Sequence, residues 1–401
     1  MMGACRRSET DVGIAQSNDI AVFRRDLHAY PELSEKENRT ARAIVQRLAK
    51  SNPSQVINGL GSMQTGICAV YDSGAPGPTV LVRCELDALP IQETNVFEHR
   101  STSPGVSHKC GHDGHMASLV ALSDDLGADP IARGRVFLLF QPAEETGTGA
   151  NAVIGDARFQ ALGAPDYVYA FHNVPKFPLG DVLVRKGLFA QASVGFIVRF
   201  TGKTSHSSYP EHGINPSHAV TELITAVNQF DSTFTGKAVA PVLGTISYAQ
   251  VGQIEKGPNF GTTPGEATVM GVVRAQTNED LARLREELGR LADRLAADAG
   301  LQNTLSWHEA FAATGSDDEC AEVVDRAARQ VGLSVQQLEE PFRWSEDFGY
   351  FTEAFTGAFF GLGSGVDQPQ LHDDSYDYPD ELIETGATLY RAIIDQHLGE
   401  R

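Results

Sequence analysis

Cys110-Gly111-His112-Asp113-Gly114-His115 brings a thiol, a carboxylate and two imidazoles together directly ahead of an apolar stretch. Met116, Leu119, Val120 and Leu122 follow at helical spacing, so the cluster reads as the N-terminus of a helix. Glycines on both sides of His112 let the backbone turn sharply and approach a site closely. Sulfur, nitrogen and oxygen donors in one place suit a borderline-soft divalent metal. The same residues also fit solvated histidines in front of a helix, and the motif alone leaves both readings open.

Apolar runs of strand type surround this helix. Gly66-Ile67-Cys68-Ala69-Val70-Tyr71 and Thr79-Val80-Leu81-Val82-Arg83 are separated by the turn Pro76-Gly77-Pro78, and the second leads to Glu85 and Asp87. Arg135-Val136-Phe137-Leu138-Leu139-Phe140 leads to Gln141-Pro142-Ala143-Glu144-Glu145. Tyr167-Val168-Tyr169-Ala170-Phe171 ends in His172, and Ala358-Phe359-Phe360-Gly361-Leu362 precedes a loop carrying His372. Each polar candidate is therefore expected just beyond the carboxyl end of a strand. Strands alternating with helices imply an α/β domain with a mainly parallel sheet, whose ligand crevice opens at those ends.

Before these runs, residues 20–50 show helical spacing on both sides of Tyr30-Pro31, with Ser34 as the expected N-cap of a second helix and Glu35-Lys36-Glu37 as its acidic first turn. The middle of the chain reads differently. Strands are expected at 193–200, 245–251, 267–275 and 304–310, with helices at 216–230 and from a cap at Asn278 to about residue 299. This β-α-β-β-α-β order suggests a small α+β domain at 188–312, inserted into a larger domain formed by 1–187 and 313–401.

The chain has 401 residues, enough for two domains, and an ordinary globular balance of 41% hydrophobic and 21% charged residues. Its 52 acidic and 32 basic residues give a net charge of -20, which argues against nucleic acid or an anionic membrane as partner. Five scattered cysteines without a CxxC pair fit a reducing compartment better than a disulfide framework. The N-terminus lacks the apolar core of a signal peptide, and no apolar run is long enough to span a bilayer. A cytoplasmic protein is expected.

Glu144-Glu145 is the second cluster with chemical potential. Neighbouring side chains beyond a strand point in different directions, so one glutamate can bind a metal while the other serves as a base. In order along the chain, His28-Ala29-Tyr30-Pro31-Glu32-Leu33-Ser34, Asp87-Ala88-Leu89-Pro90-Ile91, Cys110-Gly111-His112-Asp113-Gly114-His115, Gln141-Pro142-Ala143-Glu144-Glu145 and Phe171-His172-Asn173 resemble the M20 metallopeptidase family. The resemblance is greatest to its D subfamily of amidohydrolases, which includes hippurate hydrolases, N-acyl-amino-acid deacylases and hydrolases of auxin–amino acid conjugates. It implies a catalytic domain with two divalent metals, Mn²⁺ or Zn²⁺, an inserted ferredoxin-like lid that also forms a homodimer, and hydrolysis of a small-molecule amide.

Carried over residue by residue, the resemblance makes Cys110, His112, Glu145, His172 and His372 the metal ligands, with Cys110 bridging the ions as thiolate. Glu144 becomes the general base and acid, and Asp87 the carboxylate that orients a ligand imidazole. His206 would reach the partner subunit's site and steady an oxyanion, while Asn259 and Arg274 would hold a substrate carboxylate. Two departures stand out. Glu85 replaces the aspartate usual in the subfamily, and the segment after His206 is altered, which bears on substrate identity. The roles of Glu85 and Glu346 are left open. Alternatives are a dipeptidase or aryl-amine aminohydrolase on the same fold, a cysteine hydrolase using Cys110, and a non-catalytic binding protein.

Overall fold

The computed structural model of the chain describes residues 9–230, 242–245 and 260–399. These divide into two compact units, one made of Met1–Phe189, Gly315–Pro341 and Asp347–Arg401, the other of Ala190–Thr314 and Phe342–Glu346.

The first unit is built on an eight-stranded mixed sheet. Its spatial order is Gln55–Leu60, Gly66–Asp72, Arg135–Gln141, Thr79–Glu85, Tyr167–Val174, Gly357–Gly363, Val182–Val184 and Val335–Gln337. The four central strands, from Arg135–Gln141 to Gly357–Gly363, run parallel, while antiparallel pairs flank them. Their side chains are almost entirely buried, as expected of parallel strands covered on both faces. The helix His112–Ala128 is likewise buried nearly all round, which its continuous apolar and small residues permit. It packs against the sheet and the C-terminal helix Glu381–Leu398.

The second unit carries a four-stranded antiparallel sheet in the order Val242–Thr245, Glu266–Ala275, Ala192–Thr201 and Gln302–Phe311. With the helices Ser217–Val227 and Asn278–Ala299 this is a β-α-β-β-α-β path. Alternate strand residues Val194, Phe196, Val198 and Phe200 face a core completed by Leu223, Leu284 and Leu288. Phe342–Glu346, which sequence spacing assigned to the larger domain, belongs here because Gln191 N donates to the carbonyls of Phe342 and Trp344.

Several local expectations are corrected. The second helix begins at Asn38 rather than after Ser34, and Ser34 Oγ instead donates to Asp87 Oδ2 at 2.7 Å. Thr277, whose side chain accepts from Asp280 N, caps the long helix, while Asn278 Oδ1 accepts from Ala313 N. His172 lies inside a strand, since Tyr167–Val174 continues through it in register with Gly361-Leu362-Gly363. Of the strand expected at 245–251, only Thr245 is among the described residues. Among those residues, no helix is long and apolar enough to cross a membrane.

A charged knot fixes the first helix, Glu9–Ala29, beside the cluster helix. Arg24, almost fully buried, reaches Asp113 at 3.1 Å and Asp377 at 2.7 Å, and His28 Nδ1 contacts Asp113 Oδ2 at 2.8 Å. Burial is the largest influence on His28 and disfavours its charge, but Asp113 and Glu93 together outweigh it and raise the imidazole to about 9. A raised folded-state pKa stabilises below the unfolded value of about 6.5, and the contribution is lost as pH rises through 9. His28→Gln will therefore destabilise most at pH 6 and progressively less up to pH 9, as read from urea midpoints. A penalty independent of pH would contradict the charged His28–Asp113 pair.

Close packing of the cluster helix sets a second expectation. A methyl group on Gly114 would stand 2.2 Å from the ring of Tyr378, which is buried and cannot retreat. Gly114→Ala will lower stability by about 1–3 kcal/mol in denaturant titration. An unchanged midpoint would contradict this contact.

Candidate metal centre

Four parallel strands deliver the site from their carboxyl ends, as expected, although His172 does so from within its strand. Gly111, at φ +92°, precedes the first helical residue, His112. A Cβ there would meet the Asn173 amide at 2.6 Å, so only glycine allows this approach. The Glu144-Glu145 loop leaves its strand through Ala143, a non-glycine at φ +50°. That strained turn is anchored where Ala143 N donates to Glu37 Oε1 at 2.9 Å and Gly149 N to Ala143 O at 3.0 Å. His372 also has a left-handed backbone, at φ +67°. Two loops of the site thus hold backbone conformations that isolated residues of these types avoid.

The donors converge into overlapping groups. Cys110, His112 and His172 bring their ligand atoms within 4.8 Å of one another, and so do Cys110, Glu145 and His372. Cys110 is common to both. Cys110 Sγ lies 3.3 Å from His172 Nε2, and His372 Nε2 lies 3.8 Å from Glu145 Oε2. A third group joins His112 to Glu144 and Glu145. All five residues expected as ligands are therefore assembled, with Glu144 beside them.

Two of the three imidazoles, those of His112 and His172, are each held by one ring nitrogen. His112 Nδ1 contacts Asp87 O at 2.9 Å, and its carboxylate Oδ1 at 3.4 Å. His172 Nδ1 contacts Asn173 O at 2.9 Å. These contacts turn Nε2 of both rings towards the other donors. Asp87 is itself held by Ser34 Oγ and by Glu145 N at 2.9 Å. Glu144 Oε1 accepts from Asp347 N at 3.3 Å.

The residues fit a cation. His112 Nε2 is fully buried with no hydrogen-bond partner among the described residues, yet lies 3.9 Å from both Glu144 Oε2 and Glu145 Oε1. That spacing is too long for a hydrogen bond and leaves room for an ion between donors. Electrostatics agree. Burial, then the charges of Glu145, Glu144 and Glu85, push the Cys110 thiol well above its ordinary value. Burial opposes a charged His112, but Glu85, Asp87 and Glu145 together outweigh it and raise that imidazole to about 10. Carboxylates crowding a buried thiol and raising a neighbouring imidazole form a negative pocket that positive charge would relieve.

Sequence reasoning missed the support beneath the site. Arg83, wholly buried, hydrogen-bonds Glu85, donates from Nε to Gln141 Oε1 at 2.9 Å and from Nη2 to Asp347 Oδ1 at 2.5 Å. Glu85 Oε2 in turn meets His115 Nδ1 at 2.6 Å. Thus Glu85, whose role was open, joins His115 in a buried network behind the donors. An arginine closing an otherwise apolar strand was the available signal. Glu346, also buried, belongs to the second unit, where its carbonyl accepts from Thr314 Oγ1.

The remaining expected residues are His206, Arg274 and Asn259. His206, exposed, is on the short strand Ser205–His206 of the second unit, paired with Thr262–Thr263. Arg274, also in that unit, donates to Ser345 Oγ at 2.8 Å, and burial followed by Arg343 lowers its pKa. Asn259 lies outside the described residues.

Comparison with known proteins agrees with this geometry. A model of Peptidase family M20/M25/M40 matches residues 81–396. An N-acetyl-L-cysteine deacetylase of Bacillus subtilis is 30% identical, the match covering 87% of this chain and 81% of that protein. A hippurate hydrolase of Campylobacter jejuni is 29% identical over 95% of this chain and 97% of its own. Among solved structures, the YXEP protein of Bacillus subtilis, described as a dinuclear metal binding peptidase from the M20 family, superposes with a TM-score of 0.78 at 25% identity, covering 96% and 99% of the two chains. A match that runs through every strand bearing a donor leaves one assignment: the chain belongs to Peptidase family M20/M25/M40, hydrolases acting on amide C–N bonds.

Proposed function

We propose that the protein is a dinuclear metal-dependent amidohydrolase that cleaves an N-acyl amino acid or a related small amide conjugate. The observation that carries the proposal is the pair of donor trios sharing Cys110, with Glu144 beside them. The hydrolase and deacetylase names of the relatives support the substrate class.

Cys110, His112, Glu145, His172 and His372 would hold two divalent ions, Mn²⁺ or Zn²⁺. Ions held there would supply Lewis acidity towards the amide carbonyl and make a water easier to deprotonate. Glu144 takes the proton from the attacking water and passes it to the nitrogen as the C–N bond breaks, releasing a carboxylate and an amine. Asp347 N, donating to one oxygen of Glu144, holds that carboxylate in place. Asp87 fixes the His112 ring through its carbonyl and carboxylate.

Under the same reading the second unit serves as lid and dimer face. His206 supplies a hydrogen bond to the oxyanion, and Asn259 and Arg274 bind the substrate carboxylate. Arg274 beside Arg343 is a local excess of positive charge that suits an anion. Cys110 as nucleophile is the weaker reading, because burial and nearby carboxylates favour its neutral thiol and a thiol enzyme needs the thiolate.

Two experiments test the reading. Dialysis against a chelator will abolish hydrolysis across a panel of N-acyl amino acids, and Mn²⁺ or Zn²⁺ will restore it; activity that survives chelation points to the thiol. Glu144→Gln will keep its metal content but lower kcat by at least about 100-fold, the range of general base catalysis. Turnover near the wild-type rate would remove Glu144 from the role.

A further inference from the structure

Lys109 is fully buried, and nothing above uses it. A buried ammonium persists only where its charge is paired and its three protons are bonded. Here all three are accounted for: Nζ donates to Glu93 Oε1 at 2.7 Å, to Asn95 Oδ1 at 2.8 Å and to the Tyr376 carbonyl at 2.7 Å. The last bond crosses to the loop that carries His372. The main chain of Lys109 makes a second crossing, since its carbonyl accepts from His372 N at 2.9 Å. Thr94, which lies between its two side-chain partners, and Asn95 itself continue the seam. Thr94 N donates to Asp374 O at 3.1 Å, and Asn95 Nδ2 to Ser375 O at 3.0 Å.

His372 needs such support. Its side chain is 53% exposed, its backbone is left-handed, and it enters from a loop remote in sequence from Cys110 and Glu145. Left-handed backbone at a non-glycine residue persists where surrounding contacts over-determine it. Residue 109 adjoins Cys110 in the chain, so a clamp from Lys109 to Tyr376 ties the loop directly to the shared sulfur ligand.

We propose that Lys109 is a positioning residue for the metal centre: its ammonium, gripped by Glu93 and Asn95, pins the 372–376 loop so that His372 completes the Cys110–Glu145–His372 trio. The ion held by that trio depends on Lys109. The ion held by Cys110, His112 and His172 does not, because the latter two rings are fixed by Asp87 O and Asn173 O. This inference rests on the dinuclear reading above.

The test is calorimetric titration of the metal-free protein with Mn²⁺, with bound ions counted by elemental analysis. Lys109→Met keeps the length of the side chain and removes the donors. Glu93 retains His28 Nε2 at 3.1 Å and Ser101 N at 2.5 Å, so the variant leaves no uncompensated buried carboxylate. Wild-type protein will bind two ions. Lys109→Met will bind one with unchanged affinity and the other about 10–100-fold more weakly, the usual cost of removing support behind a ligand. Should Lys109→Met fail to fold, Asn95→Ala, at a half-buried position, will weaken the same single ion by a smaller factor. Two ions bound as in wild type would overturn the clamp alone, and so would equal weakening of both, which marks general loosening. Fewer than two ions in the wild type would overturn the dinuclear centre and the clamp with it.

Discussion

A thiol, imidazoles and several carboxylates are buried together at the end of a parallel sheet, and their mutual electrostatics constrain everything else. Without positive charge the cluster works against itself, since burial and the acids raise Cys110 while His112 is drawn towards protonation. Desolvated charge is tolerated in a protein only when it is paired. Most of the surrounding architecture serves to hold the donors close in spite of this. His112 and His172 each have one nitrogen tied to a main-chain oxygen, and Asp87 is gripped by Ser34 and Glu145 N. Orientation is settled beforehand, so binding does not have to organise the rings.

The fold supplies this arrangement through connection geometry. Parallel strands all finish at one edge, so segments distant in sequence meet there without a long excursion. Glu85 ends one strand, Glu144 and Glu145 follow another, and His172 projects from a third. The Arg83 network lies beneath, joining Glu85, Gln141 and Asp347 across neighbouring strands and a later loop. Because Asp347 also donates its main-chain N–H to Glu144, this network links the sheet interior to the proposed base. Removing Arg83 would take away the buried guanidinium that Glu85 and Asp347 share.

The sequence made local features legible where the signal was itself local. The helix after Gly111 was readable from glycine followed by helical spacing, and the central strands from short apolar runs between turns. The β-α-β-β-α-β path of the second unit was readable for the same reason. Errors arose where a distant partner decided the outcome. Ser34 has a capping pattern, but Asp87 takes its hydroxyl. His172 looked like a strand terminus because His and Asn are polar, yet pairing with Gly361 and Leu362 carries the strand onward. Glu85 was visible as a departure from a related pattern, while its contact with His115 depends on two segments meeting in space. Lys109 carried no signal at all, since its partners at 93, 95 and 376 are assembled only by the fold.

The proposed chemistry depends on one sulfur shared between two ions. Diffraction at the zinc absorption edge, from crystals of the chain reconstituted with Zn²⁺, tests it most directly. Two anomalous peaks are expected, each about 2.3 Å from Cys110 Sγ, one beside His112 and His172 and the other beside Glu145 and His372. A single peak, or peaks bound without Cys110, would contradict it.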